Sequence, residues 1–185
     1  MFPVVPDVSA TVDPVPFGAP AIRVYTDRDG LPQNSINQVC FDAAGFLWIG
    51  TQDGAARYDG LRWTNVPMPN HFASNNVRAV CAAADGSVYF GTLGGGLNRF
   101  KKDRFVDSPL AADLPDSYAL TVLERTTRSG STELWVGTRK GLVRWADGTL
   151  TTLTTADGLP DNVVVHLFAC LGDHGEDELW IATQG

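Results

Sequence analysis

The chain is poor in the residues that most chemistries need. It has three cysteines, Cys40, Cys81 and Cys170, and none forms a CxxC pair. An odd count without that spacing argues against a metal site or a disulfide framework. The three histidines, His71, His166 and His174, fall in unrelated settings and form no legible catalytic set. No run of roughly 18 apolar residues appears, so no segment reads as a membrane-spanning helix. Basic residues number 14 against 21 acidic ones, for a net charge of −7, and no basic stripe is visible. Binding to nucleic-acid backbones is therefore disfavoured. Apolar runs are too short for helices of ordinary length.

What is present is turn-forming and hydrophobic. The 185 residues are 44% hydrophobic, too much for a disordered segment, and include 19 glycines and 11 prolines. That mixture suits many short strands joined by tight turns. Residues 1–23, with Pro3, Pro6, Pro14, Pro16 and Pro20, read as an extended arm. The first six residues lack the positive and apolar regions of a secretion signal.

One motif dominates the remainder. Trp48-Ile49-Gly50-Thr51 returns as Tyr89-Phe90-Gly91-Thr92, Trp135-Val136-Gly137-Thr138 and Trp180-Ile181-Ala182-Thr183, at intervals of 41, 46 and 45 residues. A period of about 40–50 residues marks a stack of similar units. Around each anchor the same template recurs. An alternating segment comes first (residues 36–41, 77–82, 118–123 and 163–168), then an Asp/Gly turn, then the anchor strand. A glycine turn, a third strand ending in Arg plus an aromatic, another turn and a fourth strand follow. The Arg-aromatic pairs are Arg57-Tyr58, Arg99-Phe100 and Arg144-Trp145.

Four antiparallel strands per unit of about 45 residues is the composition of a β-propeller blade. The expected fold is all-β: a β-propeller fragment spanning 24–185. Its blades fall at about 36–66, 77–107, 118–153 and an incomplete 163–185. Residues 21–34 resemble residues 150–162, and 21–26 are expected to form the outer strand of a further blade. The template predicts Trp48, Trp135 and Trp180 as core residues. The anchor glycine is expected to leave room for a neighbouring side chain or backbone, an adjacent blade's aromatic being the candidate. Cys40 and Cys81, at equivalent positions, read as small buried hydrophobes. Two insertions, near 126–132 and 172–177, are expected to alter loops and not the strand template. Three blades cannot close a ring of the usual four to eight, so self-association is expected.

Gly30-Leu31-Pro32-Gln33-Asn34, Asp42 to Gly45, Leu47-Trp48-Ile49-Gly50-Thr51 and Arg57-Tyr58-Asp59-Gly60 together resemble the two-component regulator propeller repeat. Gly158-Leu159-Pro160-Asp161-Asn162 and Leu179 to Thr183 match again. The resemblance covers about 24–185, with Ala55-Ala56 standing where Gly-Leu is usual. WD40 and kelch patterns fit less well. The resemblance implies the extracytoplasmic, typically periplasmic, sensor region of a membrane-anchored bacterial signalling protein. The output implied is a histidine kinase or a diguanylate cyclase. Several members of the family are thought to sense carbohydrate fragments.

No catalytic residue, metal site or cofactor is expected. Gly94-Gly95-Gly96 opens a strand and not the helix a phosphate loop needs. The acidic loop 173–178 matches no calcium-loop spacing. Binding is the better prospect. In propellers the loops entering strand one and those joining strands two and three share one face. Here they carry Asn34, Ser35, Asn75, Asn76, Asp116, Ser117, Asp161 and Asn162, then Gln52, Asp53, Arg139 and Lys140. Their amides, hydroxyls and charges suit sugar hydroxyls, although Asn, Asp and Ser also simply make turns. The expected partners are a small ligand, plausibly a saccharide, and an output domain in a parent chain. The alternative is a non-catalytic protein–protein interaction scaffold.

Overall fold

The computed structural model describes residues 22–68 and 74–185. His71 and nearly all of the expected arm lie outside them. Among the described residues, fourteen strands form three four-stranded antiparallel sheets and one pair. Blade one holds β1 (Ile36–Phe41), β2 (Leu47–Thr51), β3 (Gly54–Tyr58) and β4 (Trp63–Asn65). Blade two holds β5 (Val77–Ala82), β6 (Val88–Thr92), β7 (Gly96–Lys101) and β8 (Arg104–Val106). Blade three holds β9 (Ala119–Thr126), β10 (Thr132–Thr138), β11 (Gly141–Ala146) and β12 (Thr149–Leu153). Blade four contributes β13 (Val164–Leu171) and β14 (Asp177–Thr183). Strand order within each sheet follows the chain. This is the propeller-fragment architecture read from the repeat. Residues 22–26, expected as an outer strand, pair with no described strand.

Most of the core lies between blades; one cluster instead packs Tyr25 and Leu31 of the entry segment on Ile49, Ala56, Leu47 and Trp63 of blade one. Trp48, Ala55 and Val66 of blade one pack with Val77, Val80, Phe90 and Phe100 of blade two. Tyr89 and Leu97 meet Val122, Leu134, Val136 and Val143 of blade three. Trp135 and Leu142 meet Val164 and Leu167 of blade four. Each contact brings the first strand of one blade against the second strand of the one before.

The anchor glycine permits that approach. A Cβ on Gly50 would lie 2.7 Å from Val77 Cγ1 and 2.9 Å from the Val77 carbonyl oxygen. On Gly91 it would lie 2.7 Å from the Ala119 carbonyl oxygen, and on Gly137 2.8 Å from that of Val164. The glycine thus admits a neighbouring side chain and backbone, as the sequence suggested, but these are the aliphatic side chains and carbonyl of the next blade's first strand and not an aromatic ring.

The anchor aromatic faces the same way. Trp48 and Trp135 are 4% and 7% exposed, but Trp180 is 64% exposed. The sequence placed all three in the core. Trp180 differs because no described strand pairs beyond β14 and no described blade packs on its face. On the opposite end, Val39 and Phe41 of β1 are exposed for the matching reason.

The recurring arginine finds its role in the register. Arg57 lies opposite Trp48, Arg99 opposite Tyr89 and Arg144 opposite Trp135. Each guanidinium sits 5.4–5.8 Å from the ring centroid of its partner, within cation–π range. An acid completes the group. Glu133 accepts from Trp135 Nε1 at 2.9 Å, Arg144 Nε at 3.0 Å and Arg125 Nε at 2.8 Å. Asp42 accepts from Trp48 Nε1 at 2.7 Å. Tyr89 has no indole N–H, and Asp85 takes Arg99 and Lys101 instead.

The two insertions lengthen strands as well as loops. β9 and β10 have 8 and 7 residues where β1 and β2 have 6 and 5. Their tips meet: Arg128 N donates to Asp177 at 2.9 Å, and its guanidinium donates to the Gly175 carbonyl. All three cysteines are free thiols; Cys81 is buried and Cys40 half-buried. Burial pushes the Cys81 thiol up to about 12 and that of Cys40 up to about 11.

Two outcomes are expected. Gly50→Ala forces side-chain and backbone atoms apart and should cost about 1–3 kcal/mol in urea unfolding; an unchanged midpoint would contradict the close-approach reading. Burial opposes ionisation of Glu133, but bonds from Arg144, Trp135 and Arg125 outweigh it and hold the carboxyl at about 2. Its unfolded value is higher, so the unfolded chain binds the extra proton as pH falls. That contribution is complete above the ordinary glutamate range and is lost as pH drops towards about 2. Glu133→Gln should therefore flatten the acid side of the stability profile, measured by denaturant titration at a series of pH values.

Candidate functional site

The loop entering strand one is built by a local hydrogen-bond code. Thr26 caps a short 3-10 turn, Asp27–Asp29, which closes on Gly30 at φ 106°. Asp29 accepts from Thr26 N at 2.7 Å, and Asn34 accepts from Asp27 N at 2.7 Å. Leu31 is buried under Ile49 and Ala56. The second copy repeats these bonds. Asp157 accepts from Thr154 N at 2.9 Å, Asn162 from Thr155 N at 2.8 Å, and Gly158 takes φ 103°. The Gly-Leu-Pro-x-Asn pattern is therefore a turn of fixed shape that delivers the chain to the next blade.

The loop joining strands two and three is closed by the anchor threonine. The Thr51, Thr92 and Thr138 hydroxyls donate to the carbonyls of Gly54, Gly96 and Gly141 at 2.9, 3.1 and 2.8 Å. All three threonines are fully buried. Backbone bonds then tie each such loop to the entry loop of the following blade. Gly54 N donates to the Asn75 carbonyl at 2.8 Å, Gly96 N to that of Ser117 at 2.7 Å, and Gly141 N to that of Asn162 at 2.8 Å. The two loop classes thus share one face, stitched from blade to blade.

The structure sorts the candidate residues. The side chains of Asn34 and Asn162 are spent on the turn. Asp161 caps the Val163 N–H at 2.6 Å. Asn76 accepts from Asn37 at 3.1 Å. Asn75 reaches across to Asp53 at 3.3 Å. Asp116 and Arg139 form a two-point ion pair at 2.8 and 3.2 Å, and the guanidinium lies 3.3 Å from the Tyr118 ring centroid. The Arg139 hydrogen bonds hold the Asp116 carboxyl below its ordinary range. Ser35, Gln52, Asp53, Asn75, Ser117, Arg139 and Lys140 are exposed, and Asp116 is buried beneath Arg139. The candidates on successive blades do come together in neighbouring pairs, but more of them build loops than the sequence distinguished.

A second feature was missed. Two adjoining clefts of about 280 and 340 Å³ open between blades one and two, both lined by Trp48, Arg57, Phe100 and Asp103. The 3.2 Å ion pair between Arg57 and Asp103 spans the junction. The 280 Å³ cleft also touches Ala43, Ala44 and Gly86 of the turns between strands one and two, at the end of the blades opposite the candidate loops. The repeated Arg-aromatic dipeptide was the available signal. The register that sets Arg57 on Trp48 is not readable from spacing alone. Among the described residues, no group of His, Cys, Asp or Glu is placed to hold a metal ion.

Residues 30–53 match the sequence model of the family described as two component regulator propeller. That stretch is similar to a two component regulator propeller repeat. The fold of the chain is that of solved extracellular domains from B. thetaiotaomicron. That of BT4673, described as a one component system, is 22% identical with TM-score 0.67, and the match covers 86% of this chain and 22% of that one. That of BT3049, described as a hybrid two component system, is 20% identical with TM-score 0.67, covering 87% and 24%. Virginiamycin B lyase from Staphylococcus aureus shares 14% identity at TM-score 0.51, covering 78% and 55%. The chain thus spans under a quarter of the length of those two extracellular domains. No curated protein matches the sequence. No helix among the described residues is long and apolar enough to cross a membrane.

If Asn34 and Asn162 are turn residues, replacing either with alanine should lower stability by about 0.5–1.5 kcal/mol. A thermal melt identical to that of the parent chain would contradict the assignment.

Proposed function

We propose that this chain is a non-catalytic sensor module of a bacterial signal-transduction protein. It binds a small polyhydroxylated ligand, a saccharide fragment, on the face formed by the strand-entry and two-to-three loops. The observation that carries this is the row of exposed polar side chains, Gln52, Asp53, Asn75, Ser117, Arg139 and Lys140, held on one face by blade-to-blade bonds. Fixed donors and acceptors of both kinds on a rigid support suit sugar hydroxyls. The repeat family and the fold of the two B. thetaiotaomicron extracellular domains support a position outside the cytoplasm, in the periplasm. In the reading proposed, a parent chain links ligand occupancy to a kinase or diguanylate cyclase output. The 14% identity to the lyase is too low to bring its activity to this chain.

A second reading is favoured by the exposed apolar ends. Val39 and Phe41 at one end, and Phe168 and Trp180 at the other, are the two halves of the interface that joins successive blades. Such faces recruit partners. An interaction scaffold, or head-to-tail association of two copies, follows from that surface.

The test is calorimetric titration of the chain with a panel of plant and host-glycan oligosaccharides. The sensor reading expects saturable binding to a member of the panel. The combined change Gln52→Ala and Lys140→Ala should weaken it at least tenfold without lowering Tm. No binding across the panel, together with concentration-dependent dimers in sedimentation, would put the scaffold reading first.

A further inference from the structure

We infer that the double cleft between blades one and two is a binding site for a small carboxylic acid with a flat apolar body, its carboxylate held by Arg57. Among the recurring arginines, Arg57 is the one that its own blade leaves without an acid. Arg99 donates to Ser87 at 2.8 Å and to Asp85 at 2.5 Å, and Arg144 donates to Glu133 at 3.0 Å. Ser87 and Glu133 stand two residues before the anchor aromatic; in blade one that place is Phe46. Asp42 is committed elsewhere, to Trp48 Nε1 and to the N–H groups of Ala44 and Phe46. Among the described residues the Arg57 guanidinium has one hydrogen-bond acceptor, Asp103 Oδ1 of blade two at 3.2 Å. A guanidinium has five N–H donors and suits a carboxylate through two parallel bonds. Arg57 therefore has donors to offer where Arg144 spends its own on Glu133.

The surroundings fit the rest of such a ligand. The guanidinium carbon lies 4.8 Å from the Phe46 ring centroid and 5.4 Å from that of Trp48. The two rings fix the charge and shield it from water, which strengthens its attraction for an anion. Clefts of about 280 and 340 Å³ meet at the ion pair, and together they reach the size of small-molecule sites. Trp48 and Phe100 line both and offer ring faces to a flat apolar body; Lys102 adds a second positive charge to the smaller cleft. Asp103 is the group that a ligand would displace. Its side chain is 76% exposed and makes a single contact, an arrangement that contributes little to stability. Lys102 and Asp103 both take the left-handed region, at φ 53° and 57°, and Asp103 holds the place that Gly148 takes in blade three. Side chains in that region are uncommon and gather at ligand clamps and switches. Here the turn carries a carboxylate across to the neighbouring blade's arginine, as a stand-in for the ligand's own. The cleft opens at the end of the blades opposite the loop face, so the inference does not rest on the saccharide reading.

The probe is 2-naphthoate, titrated into the 15N-labelled chain and followed by NMR. The indole N–H signal of Trp48, assigned by its loss in Trp48→Phe, should shift saturably. Naphthalene-2-methanol, the neutral analogue, should bind about tenfold more weakly, and Arg57→Gln should weaken naphthoate binding by a similar factor, the scale of a charge-assisted bond. Asp103→Asn should act in the opposite sense and tighten binding about twofold to fivefold, because it removes the competing carboxylate. Asparagine also tolerates the left-handed region, so the turn is kept. The proposal is overturned if naphthoate leaves the Trp48 signal in place or moves only that of the exposed Trp180. It is equally overturned if the alcohol binds as tightly, or if Asp103→Asn leaves the affinity unchanged or lowers it. Asp103 is exposed, so its variant and the alcohol decide the matter even where Arg57→Gln fails to fold.

Discussion

Everything in this molecule depends on how closely one blade can approach the next. The limit is set by a single missing atom, the Cβ at Gly50, Gly91 and Gly137. With that atom absent, the next blade's first strand settles against the anchor strand, backbone carbonyl included. The anchor aromatic then closes the outer part of the same contact. Repeat proteins draw their stability from such nearest-neighbour interfaces more than from any single unit. Blades two and three, covered on both sides, are accordingly the most buried. Blade four, covered on one, leaves Phe168 and Trp180 to solvent.

The same packing frees one face for function. The anchor threonine is consumed in closing its loop, and backbone bonds lash that loop to the following blade. Side chains at the loop tips take little part in folding and vary from blade to blade: Gln52 and Asp53, Leu93 and Gly94, Arg139 and Lys140. A rigid support with variable tips is a general arrangement for recognition. The Asp116–Arg139–Tyr118 group shows how it is tuned. A buried carboxylate fixes an exposed guanidinium, which holds its charge at a set position on that face.

The strands were readable in the sequence because the anchor tetrapeptide repeats and because Asp/Gly turns punctuate it. The entry turn was readable as a motif, but its mechanism was not. That Asn34 spends its side chain on Asp27 N needs the fold of the turn, seven residues back along the chain. Trp180 misled for a related reason. Its local pattern equals that of Trp48, yet burial is decided by a neighbouring strand and blade, which local pattern does not report. Arg57, Arg99 and Arg144 were visible as repeats, but their stacking on the anchor aromatic depends on strand register. The cleft at Arg57 and Asp103 joins residues 46 positions apart, which no spacing argument reaches.

The most direct test of the account is native-state hydrogen exchange read strand by strand. If the interfaces between blades hold the fold, amides of β6 and β10, each with a blade packed on either side, should exchange slowest. Those of β13 and β14 should exchange much faster, although their mutual ladder is as long as any in the molecule. Equal protection in β14 and β6 would mean that each sheet is stable by itself, and would contradict the claim that close blade contact carries the structure.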